Sequence, residues 1–145
     1  MSEKENIQLA EQAISALNAH EVDRYLKLID ESYVGESEMA PGPIRGHDGV
    51  RQNMNMLLTA FPDLHLDIEE VIATADHVVA RVRITATHRG NYAGISATNK
   101  SVSWRGCTVS QVRNGKVIRG RVYADNASLM QQLGVLSLPK AATAR

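Results

Sequence analysis

The sequence predicts an α+β fold, a cone-shaped α+β barrel in which a curved antiparallel sheet wraps around helices from the amino-terminal half. Two observations carry this expectation. Apolar residues recur at helical spacing as far as Phe61 and then, from Leu64 onward, alternate with a period of two. Three strong alternating runs then follow one another closely, which implies an antiparallel meander, and the preceding helices must pack on one face of it. A sheet bent around helices encloses a cone, and a cone can hold a small molecule.

Taken in order, residues 3–18 place Ile7, Ala10, Ala13, Ile14 and Leu17 on one stripe of an otherwise charged helix. After the Asn18-Ala19-His20 break, Val22, Tyr25, Leu26 and Ile29 keep the same spacing, with Asp30 near the end, so a second helix completing a hairpin is expected. Between Tyr33 and Arg45, Pro41-Gly42-Pro43 forbids continuous helix and indicates a short strand and a loop. A third helix starts at Gly46, with Asp48 favouring its amino end and Val50, Met54, Leu57, Leu58 and Phe61 on its buried side; Pro62 ends it. Leu64, Leu66 and Ile68 open a strand that continues to Ile72 and turns near Ala75-Asp76. Strands 78–88 and 101–112 follow, and Asn114-Gly115 is a two-residue hairpin signal before strand 116–124. Asp125 or Asn126 then caps a short helix carrying Leu129, Met130 and Leu133 that stops at Gly134, and the tail after about residue 139 is expected to be loose.

With 145 residues, 43% of them hydrophobic, the chain is expected to form one domain over 1–145 with a real core. Sixteen basic and sixteen acidic residues cancel and no basic run is interleaved with aromatics, so nucleic acid is not an expected partner. The polar start Met-Ser-Glu-Lys-Glu-Asn, with no long apolar segment behind it, predicts a cytoplasmic protein without a membrane partner. Cys107 is alone, which excludes an internal disulfide, and the five histidines lack close metal-ligand spacing, so neither a metal nor a cofactor is expected.

The polar residues that break apolar faces are the site candidates. In the strand before the loop His88 to Gly94, Val78, Ala80, Val82, Ile84 and Ala86 form the apolar face, and His88 continues it. An imidazole there is either satisfied at the strand edge or serves binding or acid/base chemistry. On the next strand the parity of Thr108 includes Val102, Trp104, Gly106 and Ser110. Trp104 is either core filler or a flat wall for a substrate. Asn53, between Val50, Met54 and Leu57, points its amide toward the cone, to orient a substrate or to tie helix to strand. Tyr33 and Tyr92 are pocket or packing aromatics; Met39, Met54 and Met56 are a pliable lining or simple core; Glu36 or Glu38 is a pocket or a surface carboxylate. The last strand turns either Gly120, Val122 and Ala124 inward or, in the other register, Arg119, Arg121, Tyr123 and Asp125, and the first is favoured because paired arginines face water or an interface.

Several segments resemble the SnoaL-like polyketide cyclases of the nuclear transport factor 2-like superfamily: Phe61-Pro62-Asp63-Leu64, then Thr87-His88-Arg89-Gly90 with Gly94 and Ala97-Thr98, Asn114-Gly115-Lys116-Val117, and Gln131-Gln132-Leu133-Gly134, together spanning about residues 7 to 136. The resemblance implies a cytoplasmic enzyme of natural-product biosynthesis, often a homodimer, that binds a polyketide intermediate without a cofactor and closes a ring. Acid/base relatives carry an aspartate on the last strand and a histidine on its neighbour, and the resemblance places those positions at Val122 and Thr108, neither of which serves as a base unaided.

The expected function is therefore cyclisation of a polyketide-type intermediate directed by shape, pericyclic ring closure included, with His88, Asn53 and Thr108 as the catalytic candidates. Tyr33, Trp104, Met54, Tyr92, Ser110 and Val122 are expected to line the substrate site. The rivals are a hydroxylase-type or isomerase member of the same family, to which Ala86-Thr87-His88-Arg89-Gly90 and Val102-Ser103-Trp104 are similar, and a non-catalytic module that binds a small molecule.

Overall fold

The computed structural model describes residues 2–137 and Pro139, so the expectation about the tail beyond residue 139 lies outside the described residues. Helix α1 (Glu3–Asn18) starts on a capping box in which the Ser2 hydroxyl accepts from Glu5 N and the Glu5 carboxylate reaches back. Its stripe lies over the sheet and is tied at both ends. Asn6 Nδ2 donates to the carbonyls of Thr74 (2.8 Å) and Ala75 (3.1 Å), while Asn18 both accepts from Leu66 N (2.8 Å) and donates to Leu66 O (2.9 Å).

Helix α2 (Val22–Leu26) is shorter than its apolar spacing predicts. Ile29, read from that spacing as helical, instead opens strand β1 (Ile29–Ser37), because its backbone pairs with Val117 of the last strand and is 1% exposed there. β1 runs parallel to that strand, so the sheet is not purely antiparallel. After the short β2 (Ile44–Arg45), helix α3 (Gly46–Ala60) follows, and His47 Nε2 bonds to Ile29 O at 2.6 Å to hold it against β1.

Strands β3 (His65–Ala73), β4 (His77–Thr87), β5 (Ser101–Arg113) and β6 (Lys116–Ala124) form the expected meander, and the six-stranded sheet is ordered β2-β1-β6-β5-β4-β3. Asn114 (φ 52°) and Gly115 (φ 77°) have the two positive φ values that a tight β5–β6 hairpin needs. The register places Thr108 opposite both Ala80 and Val122, and Ser110 opposite both Val78 and Gly120, so the small and aliphatic side chains share the concave face. Arg119, Arg121 and Tyr123 take the other face, where Arg81 and Arg105 pair with Glu69 and Glu70 at 3.3–3.5 Å. The result is a curved, unclosed sheet with helices in its concavity, a cone-shaped α+β fold.

One end of the cone is solid. Phe61, fully buried, has Tyr92 at 5.0 Å and His88 and Trp104 each at 5.5 Å between ring centroids, with Leu129 of α4 (Asn126–Gln132) and Leu133 at its C-cap closing the cluster. Asp125 caps α4 by accepting from Ser128 N, and Gln132 pairs both ways with the backbone of Ser103, at 2.9 and 2.7 Å.

The Phe61-Pro62-Asp63-Leu64 and Thr87-His88-Arg89-Gly90 segments meet here. Asp63 accepts from Thr87 N and from Thr87 Oγ1, both at 2.7 Å, and these bonds hold its carboxyl below its ordinary pKa of 3.8. Asp63→Ala is expected to lower stability by about 1 kcal/mol, because Thr87 stays open to water when its partner is lost. A carboxyl whose folded pKa is depressed contributes above its unfolded pKa and loses that contribution as pH falls through the folded value, so parent and variant should converge below about pH 4. Urea titrations at neutral and acid pH check this.

Candidate active site

Between α1, α3 and the concave face of β4–β6 lies a hollow of two lobes. The larger has a volume of about 220 Å³ and the smaller about 110 Å³. Leu17, Tyr25, Tyr33, Thr108 and Val122 are among the residues that line both, so the lobes meet at a waist. The wall is mostly apolar, which leaves its few polar groups conspicuous.

Tyr33 reaches the waist because two glycines let it. Gly35, two residues further along β1, is paired with Gly120 of β6, and the phenol lies across both: a Cβ on Gly35 would come within 2.6 Å of Tyr33 Oη, and one on Gly120 would collide with the same atom. Tyr25 arrives from α2. Neither phenol is held by a hydrogen bond among the described residues, and burial pushes both above the ordinary tyrosine pKa of 10.0, with Tyr25 raising Tyr33 further. Both hydroxyls therefore remain neutral donors in the physiological range. The hydroxyls of Thr108 and Ser110 and the amide of Asn53 also face the hollow without a partner among the described residues.

Eight of the nine sequence candidates border this hollow. Asn53, Met54, Tyr92 and Trp104 line the larger lobe, Ser110 lines the smaller, and Tyr33, Thr108 and Val122 line both. His88 does not. β4 alternation does carry it inward, one residue past the end of the strand at Thr87, but its fully buried ring packs beside Phe61 in the solid end of the cone and not in the hollow. Its ring instead pins the following loop, with Nδ1 accepting from Thr98 N at 3.2 Å and lying 3.0 Å from Thr98 Oγ1, while its backbone bonds to Lys100 O and Asn99 N. An accepting Nδ1 assigns the proton to Nε2, which is buried beside Phe61 without a partner among the described residues. Gly90 completes the dock: its backbone runs so close to Thr59 O that a Cβ would collide, and its N–H donates to Ala60 O at 3.2 Å.

Of the two acidic candidates, Glu36 reaches the rim of the larger lobe but is more than half exposed and lies 3.8 Å from Arg121, whereas Glu38 is exposed and borders neither lobe. Tyr25 was not among the sequence candidates. Helical spacing assigned it to a packing stripe, although the signal was available in its hydroxyl, which a buried tyrosine has to place somewhere.

The sequence pattern of the SnoaL-like polyketide cyclases matches residues 7–133 of this chain. A comparison with curated proteins finds no match. Among solved structures, AclR from Streptomyces galilaeus, provisionally designated a hydroxylase, superposes with a TM-score of 0.83 at 30% identity, covering 96% of this chain and 87% of AclR. A provisionally designated SnoaL-like polyketide cyclase from Jannaschia gives 0.84 at 19% identity, covering 93% and 95%. IdmH from Streptomyces antibioticus, provisionally designated a polyketide cyclase, gives 0.77 at 22% identity, covering 88% and 97%. The latter two likenesses are of fold alone. Motifs, register and superposition agree, and the chain belongs to the SnoaL-like polyketide cyclase family.

Proposed function

We propose that the protein is a cyclase that folds a largely apolar polyketide-type intermediate inside the two-lobed hollow and closes a ring by holding the reacting carbons together. The observation that carries this reading is the character of the wall. It is apolar, it presents donors of Tyr25, Tyr33 and Asn53 that have no partner among the described residues, and it has Val122 and Thr108 where acid/base relatives are expected to carry their proton-transfer pair.

Such a wall does two things. It confines a flexible chain, which removes much of the entropic part of the barrier when the two carbons meet. It also directs hydrogen bonds at a substrate carbonyl in a water-poor site, where they are stronger than in water, and so draws electron density from the conjugated chain. Ring closure by reorganisation of π electrons forms one carbon–carbon bond within the chain and leaves every proton in place, which suits a site without a strong base. Val122, Met54 and Trp104 shape the chain; Asn53, Tyr33 and Tyr25 polarise it, with Thr108 as a secondary donor. His88 enters as a support for the loop that holds Tyr92 in the wall rather than as a proton carrier.

Incubation with a linear polyketide-type substrate, followed by mass and NMR analysis, tests the reading. A cyclic isomer is the expected product. Oxygen incorporation would favour a hydroxylase role, the reading supported by the 30% identity to AclR, and saturable binding of an unchanged ligand would favour a binding module.

A further inference from the structure

The smaller lobe is a separate compartment with its own chemistry. It exists because the residues facing it are small: Ala10 and Ala13 on α1, Ala80 on β4 and Gly120 on β6. Its far end is closed by Leu9, Val78 and Val112, which pack together. Helix α1 is its lid, fixed at both ends by the Asn6 and Asn18 hydrogen bonds. Away from the waist, Ser110 is the only uncharged polar side chain on its wall among the described residues, and Arg121 borders it through the main chain, because strand alternation turns its side chain to the outer face beside Glu36. An ordered water needs two or more polar partners, and beyond the waist a single hydroxyl cannot supply them.

We propose that this lobe takes the saturated alkyl terminus of the ligand, while Tyr25 and Tyr33 hold the adjacent carbonyl at the waist and the unsaturated remainder fills the larger lobe. The substrate class is thus an alkyl ketone, or its enol, attached to a conjugated chain. An apolar cavity of roughly 150 Å³ holds benzene, so in proportion the lobe takes a terminus of roughly four carbons. The assignment rests on the cyclase reading for the identity of the remainder, but the subsite itself is read by binding alone.

Calorimetric titration with phenyl alkyl ketones, from acetophenone through heptanophenone, tests it: the ring suits the larger lobe, the carbonyl the waist and the alkyl chain the smaller lobe. Affinity is expected to rise about threefold to fourfold for each added methylene until the lobe is full, and then to level off or fall. Ala13→Leu should bring the cut-off to shorter chains while leaving acetophenone within about twofold, and Ile14→Val, a milder change to the same wall, should move it to longer ones. Affinity independent of chain length, absence of ketone binding, or an unmoved cut-off in folded variants overturns the subsite. Ring formation from the linear substrate without chain-length dependence would sink the subsite alone, whereas length-dependent binding by a protein that forms no ring would sink the cyclase reading alone.

Discussion

Tyr33→Phe is expected to slow ring closure by roughly tenfold to a hundredfold, at or below the lower end of what a single donor to a developing oxyanion contributes, because Tyr25 and Asn53 remain. The melting temperature should hardly change. A hydroxyl that stabilised the fold would have an internal partner, and its removal would expose that partner at a cost of about 1–3 kcal/mol. Tyr33 Oη has none among the described residues, so a loss of turnover without a loss of stability marks a group that bonds to the ligand. Gly120→Ala should act in the same direction by pushing the phenol off its glycine trough.

The raised phenol pKa values add a pH signature. Folding favours the protonated form, so the contribution is intact below the unfolded value of 10.0 and declines as pH climbs from there toward the folded one. Turnover should accordingly show no loss from phenol ionisation up to about pH 10, and alkaline unfolding should be less steep in Tyr33→Phe. Rate profiles and melts across that range check both.

Phe61→Ala is expected to be the most damaging single core change, about 3–5 kcal/mol, since the ring is fully buried and the solid end of the cone is built around it. For a chain of this size that corresponds to a fall of roughly 10 °C in melting temperature. Trp104 and Tyr92 lean on Phe61 from one side and face the hollow from the other, so the same variant should weaken ketone binding. Phe61→Leu, which keeps most of the volume, should cost less than half as much in both readings. A scanning calorimeter and the ketone titration separate the two effects.

What the sequence made legible follows from which forces act locally. The switch from helical to alternating period located α1, α3 and the meander, and Asn114-Gly115 announced its hairpin, because side-chain periodicity and turn chemistry are written in neighbouring residues. For β6 the sequence left two registers open and favoured the observed one, with Gly120, Val122 and Ala124 inward, because Arg119 and Arg121 are costly to bury. The parallel pairing of β1 with β6 was not legible, since it joins residues such as Ile29 and Val117 that are far apart in sequence, and Ile29 fits helical spacing equally well. Alternation correctly turned His88 inward but could not say which end of the cone it enters, because backbone bonds to Ala60 and Lys100 set that turn against the solid end beside Phe61. Tyr25 was hidden for the opposite reason: its apolar ring obeyed the pattern and masked the hydroxyl.

The central claim is that phenols at the waist hold a ligand carbonyl inside the hollow. The most direct measurement is the carbonyl ¹³C resonance of a labelled phenyl alkyl ketone bound to the protein. It is expected to move downfield on binding, as hydrogen-bonded carbonyls do, and to return toward its free position in Tyr33→Phe. A bound ketone whose carbonyl resonance is unshifted, or is shifted equally in parent and variant, would contradict the account.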